Sequence, residues 1–313
     1  MIDNLLHKNR SVIKYETLYM FFSILLFLYF VVATFETFGA VKDRGNYNLT
    51  FENLNNFSST LQLLTGSSLL YGIFSFFGNS YAMLSFYSIL FLSAKLILLK
   101  KIFHSWGFVL LYLVKFAFVV DLILLKESLG LLLVLFAYHS RHKVLRYMYI
   151  FMGLLTHLSI TPLVSLKIGR LSIIMIISIF LVFSIYSSSE ISLIYYYFDK
   201  FNSYNAESDL GESFLYQNPI FWMSTIVLLW SLGHLIRFRR FRPRVLLIQL
   251  VVFLFGLLHP VIGVPGFRLW QVGSFIDLIA LRYLNSKILF AIYLLVNLLF
   301  LIYGTIILRG YLN

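Results

Sequence analysis

The residues of this chain that could do chemistry sit where its hydrophobic runs end or break: Asp43-Arg44, Lys126-Glu127, His157, His259 and Arg268. Arg268 follows His259-Pro260-Val261-Ile262-Gly263-Val264-Pro265-Gly266, whose prolines and glycines interrupt a helix. An arginine beside freed backbone can grip a diphosphate through charge-assisted, forked hydrogen bonds; the plainer reading is an interfacial anchor. Lys126-Glu127 lies between two apolar runs with almost no loop. There the lysine can neutralise a phosphate and the carboxylate can act as a base, or the two neutralise each other at a tight turn. His157, in Leu154-Leu155-Thr156-His157-Leu158-Ser159, is either a proton acceptor or the pin of a helix break. His259, next to Pro260, reads as structural. Asp43-Arg44-Gly45-Asn46-Tyr47 follows the first apolar run directly. Its arginine suits phosphate or carboxylate, and Asn46 and Tyr47 suit carbohydrate; an internal ion pair in a polar loop is the alternative.

Four more charges, Lys95, Lys115, Asp121 and Asp277, fall inside apolar runs. Lys95 is close enough to Lys100 to snorkel toward that end of its run. Lys115 and Asp121 do not share a helix face, so their partners must come from other helices. Other chemistries have no footing. There is no Walker loop, dinucleotide fingerprint, HExxH or Cys/His metal spacing. Asp-x-Asp and His-x4-Asp patterns are missing too, and the absence of cysteine excludes disulfides and thiol catalysis. No cofactor and no metal is expected.

The elements that must position these residues are transmembrane helices. The chain is 60% hydrophobic and only 12% charged, about half the charge of an ordinary soluble domain, so lipid must be its solvent. The formal charge of +12 reads as positive-inside bias rather than nucleic-acid binding. Apolar runs over Leu18–Phe38, Tyr81–Leu99, Phe108–Leu125, Ser128–Tyr138, Ile173–Tyr186, Ile220–Ile236, Leu246–Leu258, Leu269–Leu281 and Ile288–Leu308 are each candidate spans. Leu61–Phe77 suits an interfacial helix. Val144–Leu166 is the decisive run. If it crossed once, the arginines at 237, 239, 240, 242 and 244 would lie outside. If it turns near His157 and returns to Lys167 and Arg170, they lie inside, against anionic headgroups. With that turn, 17 of the 25 Lys and Arg are cytoplasmic, six are outside and two lie within spans.

The expectation is therefore an all-α polytopic transmembrane bundle, one integral membrane domain over residues 1–313. It has roughly 10–11 spans, some re-entrant, a cytoplasmic N-terminus, and external segments at 39–80 and 187–218. Nothing around the first span reads as a cleavage site, so it is expected to stay as an anchor.

The order of these features resembles the EpsG-like branch of the Wzy polysaccharide polymerases. The resemblance is carried by Arg44-Gly45-Asn46-Tyr47 after the first span and by the aromatic Leu69-Leu70-Tyr71-Gly72-Ile73-Phe74. It continues with Lys126-Glu127-Ser128-Leu129 opening a helix, His157-Leu158-Ser159, a Tyr-rich segment at 195–197, and Arg268 leading toward Phe275. The sequence departs from the family's pattern at Asn46 and Ser68, where acids are usual, and at Phe275, where Tyr-Phe is.

The resemblance implies a membrane-embedded glycosyltransferase of the GT-C type, inverting and metal-independent, at the outer face of the bacterial inner membrane. It would polymerise oligosaccharide repeat units carried on undecaprenyl diphosphate into O-antigen, capsule or exopolysaccharide, alongside a flippase and a chain-length regulator. It assigns the diphosphate to Arg268, Arg44 and Lys126, the base to His157 or Glu127, and sugar contacts to Asn46 and Tyr47. A flippase for the same lipid and a glycan ligase are the competing readings. The lack of an internal repeat weighs against a transporter.

Overall fold

In lipid a backbone must satisfy its own hydrogen bonds, so runs of this composition fold as helices. The computed structural model describes residues 2–36, 81–121, 124–157, 160–164, 219–238, 242–257 and 270–312. Every regular element among them is helical, and no strand occurs among them. The order is α1 (Ile2–Glu36), α2 (Tyr81–Phe103), α3 (Trp106–Tyr112) running into a π-helix (Leu113–Asp121), α4 (Leu125–His139), α5 (Lys143–Thr156) and the short α6 (Thr161–Val164). Then come α7 (Pro219–Phe238), α8 (Pro243–Leu257), α9 (Ile276–Leu284) and α10 (Lys287–Leu312). Among the described residues, three helical stretches are long and apolar enough to cross a membrane: Tyr15–Phe35, Met83–Phe103 and Ile220–Arg237. Shorter apolar stretches lie at Trp106–Phe118, Pro243–Leu254 and Lys287–Ile302. The chain is an all-α membrane protein.

The expected break at His157 is present. α5 stops at Thr156, and His157 takes an extended conformation with φ −163° and ψ 133°. Pro162, which cannot donate a backbone hydrogen bond, lies in the first turn of α6. One run departs from expectation. Leu269–Leu281 is not a single helix, because the chain turns at Ser274–Phe275 before α9 begins. Tight i→i+3 bonds make the turn, from Phe275 N–H to the Val272 carbonyl (3.1 Å) and from Asp277 N–H to the Ser274 carbonyl (3.0 Å). The expected segments at 39–80 and 187–218, the runs Leu61–Phe77 and Ile173–Tyr186, and the return to Lys167 and Arg170 lie outside the described residues.

The helices keep their hydroxyls quiet by bonding them backward. Thr34, Ser88, Thr156 and Ser231 donate to the carbonyls of Phe30, Leu84, Met152 and Val227, each four residues earlier. This is how a polar side chain is carried inside an apolar helix. Lipid-facing side chains are plain on α1, where Leu18, Phe21, Leu28 and Val32 are about half exposed.

The chain divides into two compact units: Met1–His157 with Asn297–Asn313, and Leu158–Val296. In the first, α1, α2 and α3 pack together, and α4 and α5 form an antiparallel hairpin through Ser140–His142 with Phe136 stacked on Tyr149. Its polar end is clamped by Glu16 of α1. Ser105, the N-cap of α3, donates to Glu16 Oε1 (2.6 Å), the Trp106 N–H donates to Oε2 (2.8 Å), and Lys100 stands 3.6 Å away. A carboxylate on the open N–H groups of a helix start satisfies donors that have no partner within the helix. Glu16→Ala is expected to cost about 1–2 kcal/mol, read as a fall of a few degrees in thermal unfolding in detergent. An unchanged midpoint would mean that this clamp stabilises nothing.

In the second unit, α7, α8 and α9 pack around Phe221, Phe253 and Trp270. α8 comes so close that a Cβ on Gly256 would lie 2.7 Å from Phe221 and 2.8 Å from Trp270. Only glycine permits that approach.

Candidate functional site

Charged side chains in an apolar bundle are costly, and each needs a partner. Within the first unit they gather around the start of α4. Glu127 is in the first turn of that helix, where the N-terminal dipole favours a carboxylate, and its side chain is 1% exposed. His157 caps the end of α5. The α4–α5 hairpin returns the chain on itself, so the start of one helix faces the end of the other. His157 Nε2 lies 3.2 Å from Glu127 Oε1, and the imidazole is 24% exposed. Two groups named from the sequence as alternative bases thus stand as one pair. Lys126 precedes Glu127 and is half-buried.

One residue further on, Ser128 belongs to a second, wholly buried cluster. Lys95 of α2 forms an ion pair with Asp121 Oδ1 and donates to Ser128 Oγ (2.7 Å). The Ser128 hydroxyl donates to Asp121 Oδ1 (2.6 Å), and the Tyr112 hydroxyl donates to Asp121 Oδ2 (2.8 Å). Lys95 also sits 5.9 Å from the centre of the Tyr112 ring. Lys95, Tyr112, Asp121 and Ser128 all have no exposed surface. The sequence reading of Lys95 as a snorkelling residue is therefore corrected. A carboxylate within reach in a medium of low polarity holds the ammonium more strongly than the distant water edge does. The reading that Asp121 must find its partners on other helices holds for Lys95 and Ser128.

The π-helix explains why Tyr112 is a partner as well. Nine residues span two and a half turns of α-helix, which would set Tyr112 and Asp121 on opposite faces. The wider i→i+5 winding brings the same nine residues to about two turns, so both point to one side. Lys115, inside that winding, is 7% exposed and lies 5.1 Å from the centre of the Phe116 ring.

The second unit has its own buried carboxylate. Asp277, in the first turn of α9, accepts hydrogen bonds at Oδ2 from Ser224 of α7 (2.6 Å) and Tyr293 of α10 (2.7 Å). It ties three helices together. Nothing in the sequence pointed to either hydroxyl partner.

Of the residues expected to hold a diphosphate, Lys126 is described, and Arg44 and Arg268 lie outside the described residues, as do Asn46, Tyr47, His259 and Ser159. The structure brings together Glu127 and His157, with Lys126 adjacent in the chain. Among the described residues no three His, Asp or Glu side chains converge as metal ligands would. What the pair can do chemically is move one proton, with a carboxylate supporting an imidazole that reaches the surface of its unit. No protein-family model, no curated protein and no solved structure matches this chain.

Proposed function

We propose that this protein is a membrane-embedded glycosyltransferase that extends a glycan carried on a lipid diphosphate, at the outer face of the bacterial inner membrane with its N-terminus in the cytoplasm. The observation that carries the reading is the 3.2 Å contact between Glu127 and His157 at a helix break. We assign roles within the pair by exposure. His157, partly exposed, is the base, and Glu127, buried behind it, orients the imidazole. The contact is one of charge at close range rather than an aligned hydrogen bond, so the carboxylate supports the imidazole by stabilising its protonated form.

The reaction is a single displacement. The acceptor sugar's hydroxyl oxygen attacks the anomeric carbon of the lipid-linked glycan, forming the new C–O bond as its proton passes to His157. The bond from that carbon to the diphosphate oxygen breaks, and its electron pair leaves with the diphosphate. Cations must meet the charge developing there, and Lys126, Arg44 and Arg268 are the groups we assign to it. Attack opposite the leaving group inverts the anomeric centre.

A second reading, transport of the same lipid-linked sugar, is favoured by the fully buried Lys95–Asp121 pair. Paired charges of that kind also mark ion and proton pathways. The full chain in liposomes, supplied with lipid-linked repeat units, separates the two. Glycans longer than one repeat are expected. Unaltered substrate moved between leaflets would replace the enzyme reading with the transport one.

A further inference from the structure

A basic cluster at one end of the second unit is left unexplained by the proposed reaction. The last turn of α7 carries Arg237, Arg242 and Arg244 flank Pro243 at the start of α8, the last turn of α9 carries Arg282, and α10 begins at Lys287. The sequence places these cations in two separate stretches, 38 residues apart from Arg244 to Arg282. The fold joins them: the Arg242 guanidinium lies over the Tyr283 ring, 5.1 Å from its centre. The turn between α7 and α8 and the turn between α9 and α10 therefore share one end of the unit. All five cations are exposed.

Apolar side chains stand directly against this charge. Ile236, beside Arg237, is 72% exposed, and Ile288, beside Lys287, is 73% exposed. Tyr283 is 39% exposed, the amphipathic ring expected at a headgroup layer. Two helices also start here. Ser286 Oγ accepts from the Leu289 N–H (3.3 Å) at the start of α10, and the Arg242 carbonyl accepts from Val245 N–H (3.0 Å) at the start of α8. Forked guanidinium donors and a flat ring suit phosphodiester oxygens, and the neighbouring isoleucines suit the acyl chains of the same molecule.

We propose that this end of the second unit is a binding site for anionic phospholipid, whose headgroup phosphate is held by Arg242, Arg244, Arg282 and Lys287. It is separate from the proposed reaction and does not rest on it. A free phosphate would use the same donors but gain nothing from Ile236 and Ile288, so the lipid is the occupant we assign.

The test uses the full chain in nanodiscs of phosphatidylcholine containing a minor fraction of labelled phosphatidylglycerol. Lipid retained with the protein after transfer to detergent is compared between wild type and the Arg242→Gln/Arg244→Gln variant. Each cation near a headgroup layer contributes about one factor of five in binding, so losing two lowers the preference for the anionic lipid by roughly 30-fold. Arg242→Lys/Arg244→Lys, which keeps the charge but loses the forked donors, falls between wild type and the glutamine variant. Equal retention by wild type and the glutamine variant would overturn the proposal. A second measurement needs no variant. Phosphatidylglycerol raises the thermal midpoint of the wild-type protein in detergent, whereas phosphatidylcholine and inorganic phosphate do not. If inorganic phosphate raised it equally, the lipid assignment would be wrong.

Discussion

Lys95→Met alone strips the first unit of about 3–5 kcal/mol, because it leaves the Asp121 carboxylate buried without its cation. Tyr112 and Ser128 still donate to that carboxylate, but two hydroxyls do not neutralise a full charge in a medium of low polarity. Asp121→Asn alone is costly for the mirror reason, since the Lys95 ammonium has no exposed surface. Adding Asp121→Asn to Lys95→Met recovers most of the loss. The double variant has no charge to desolvate, its amide oxygen can still accept from Ser128 or Tyr112, and methionine fills much of the lysine's volume. Thermal unfolding of the four proteins in one detergent, with membrane yield as a second readout, gives the cycle. The single variants are expected to fall by roughly 10 °C and the double variant by a few degrees at most. Equal losses in all three variants would mean that the cluster is held by hydrogen-bond geometry and that its charges are incidental. The double variant also bears on function: if it is folded and fully active, the buried pair serves architecture and the transport reading loses its support.

What could be read from the sequence follows from which physical signal each feature depends on. Helix positions depend on apolar length, and α2, α4, α7, α8 and α10 lie close to where that signal placed them, while α1 begins at Ile2, well before the apolar run from Leu18. The break at His157 depended on charge bias along the whole chain and on Pro162, and it was legible for that reason. The Glu127–His157 pairing was not read, since the two stand in the sequence as alternative bases, although the spacing contains it. Glu127 lies 14 residues before Arg141 and His157 lies 16 after it, so a hairpin turning at Ser140–His142 must bring them to the same level. The Lys95–Asp121 pair was not legible. Lys95 has Lys100 and Lys101 close behind it, and sequence distance to an edge says nothing about a carboxylate on another helix. The Tyr112–Asp121 contact was less accessible still, because it requires the π winding from Leu113 to Asp121, and nothing in LVKFAFVVD signals a change of pitch. The turn at Ser274–Phe275 was hidden by the apolar residues around it, which read equally well as one helix.

Glu127→Gln should lower glycan extension by about 10²-fold or more, and His157→Ala by about 10²–10⁴-fold, with both proteins still in the membrane. The size follows from the geometry. His157 takes the acceptor's proton in the proposed step, and Glu127, at 3.2 Å, stabilises the cation that forms. Glutamine keeps the shape of glutamate but not its charge, so the imidazolium formed in the step loses that stabilisation. The two changes act on one unit, so the Glu127→Gln/His157→Ala protein should be little worse than His157→Ala alone. A merely structural pair predicts something different: activity and thermal midpoint fall together, and the double variant is the sum of the singles. The measurement is the rate of product lengthening in liposomes at saturating lipid-linked substrate, beside thermal unfolding of each variant. His157→Ala protein with a normal midpoint and wild-type extension would remove the base from the mechanism. With it would go the observation on which the enzyme reading stands, since Lys126 and the arginines can bind a diphosphate without transferring anything.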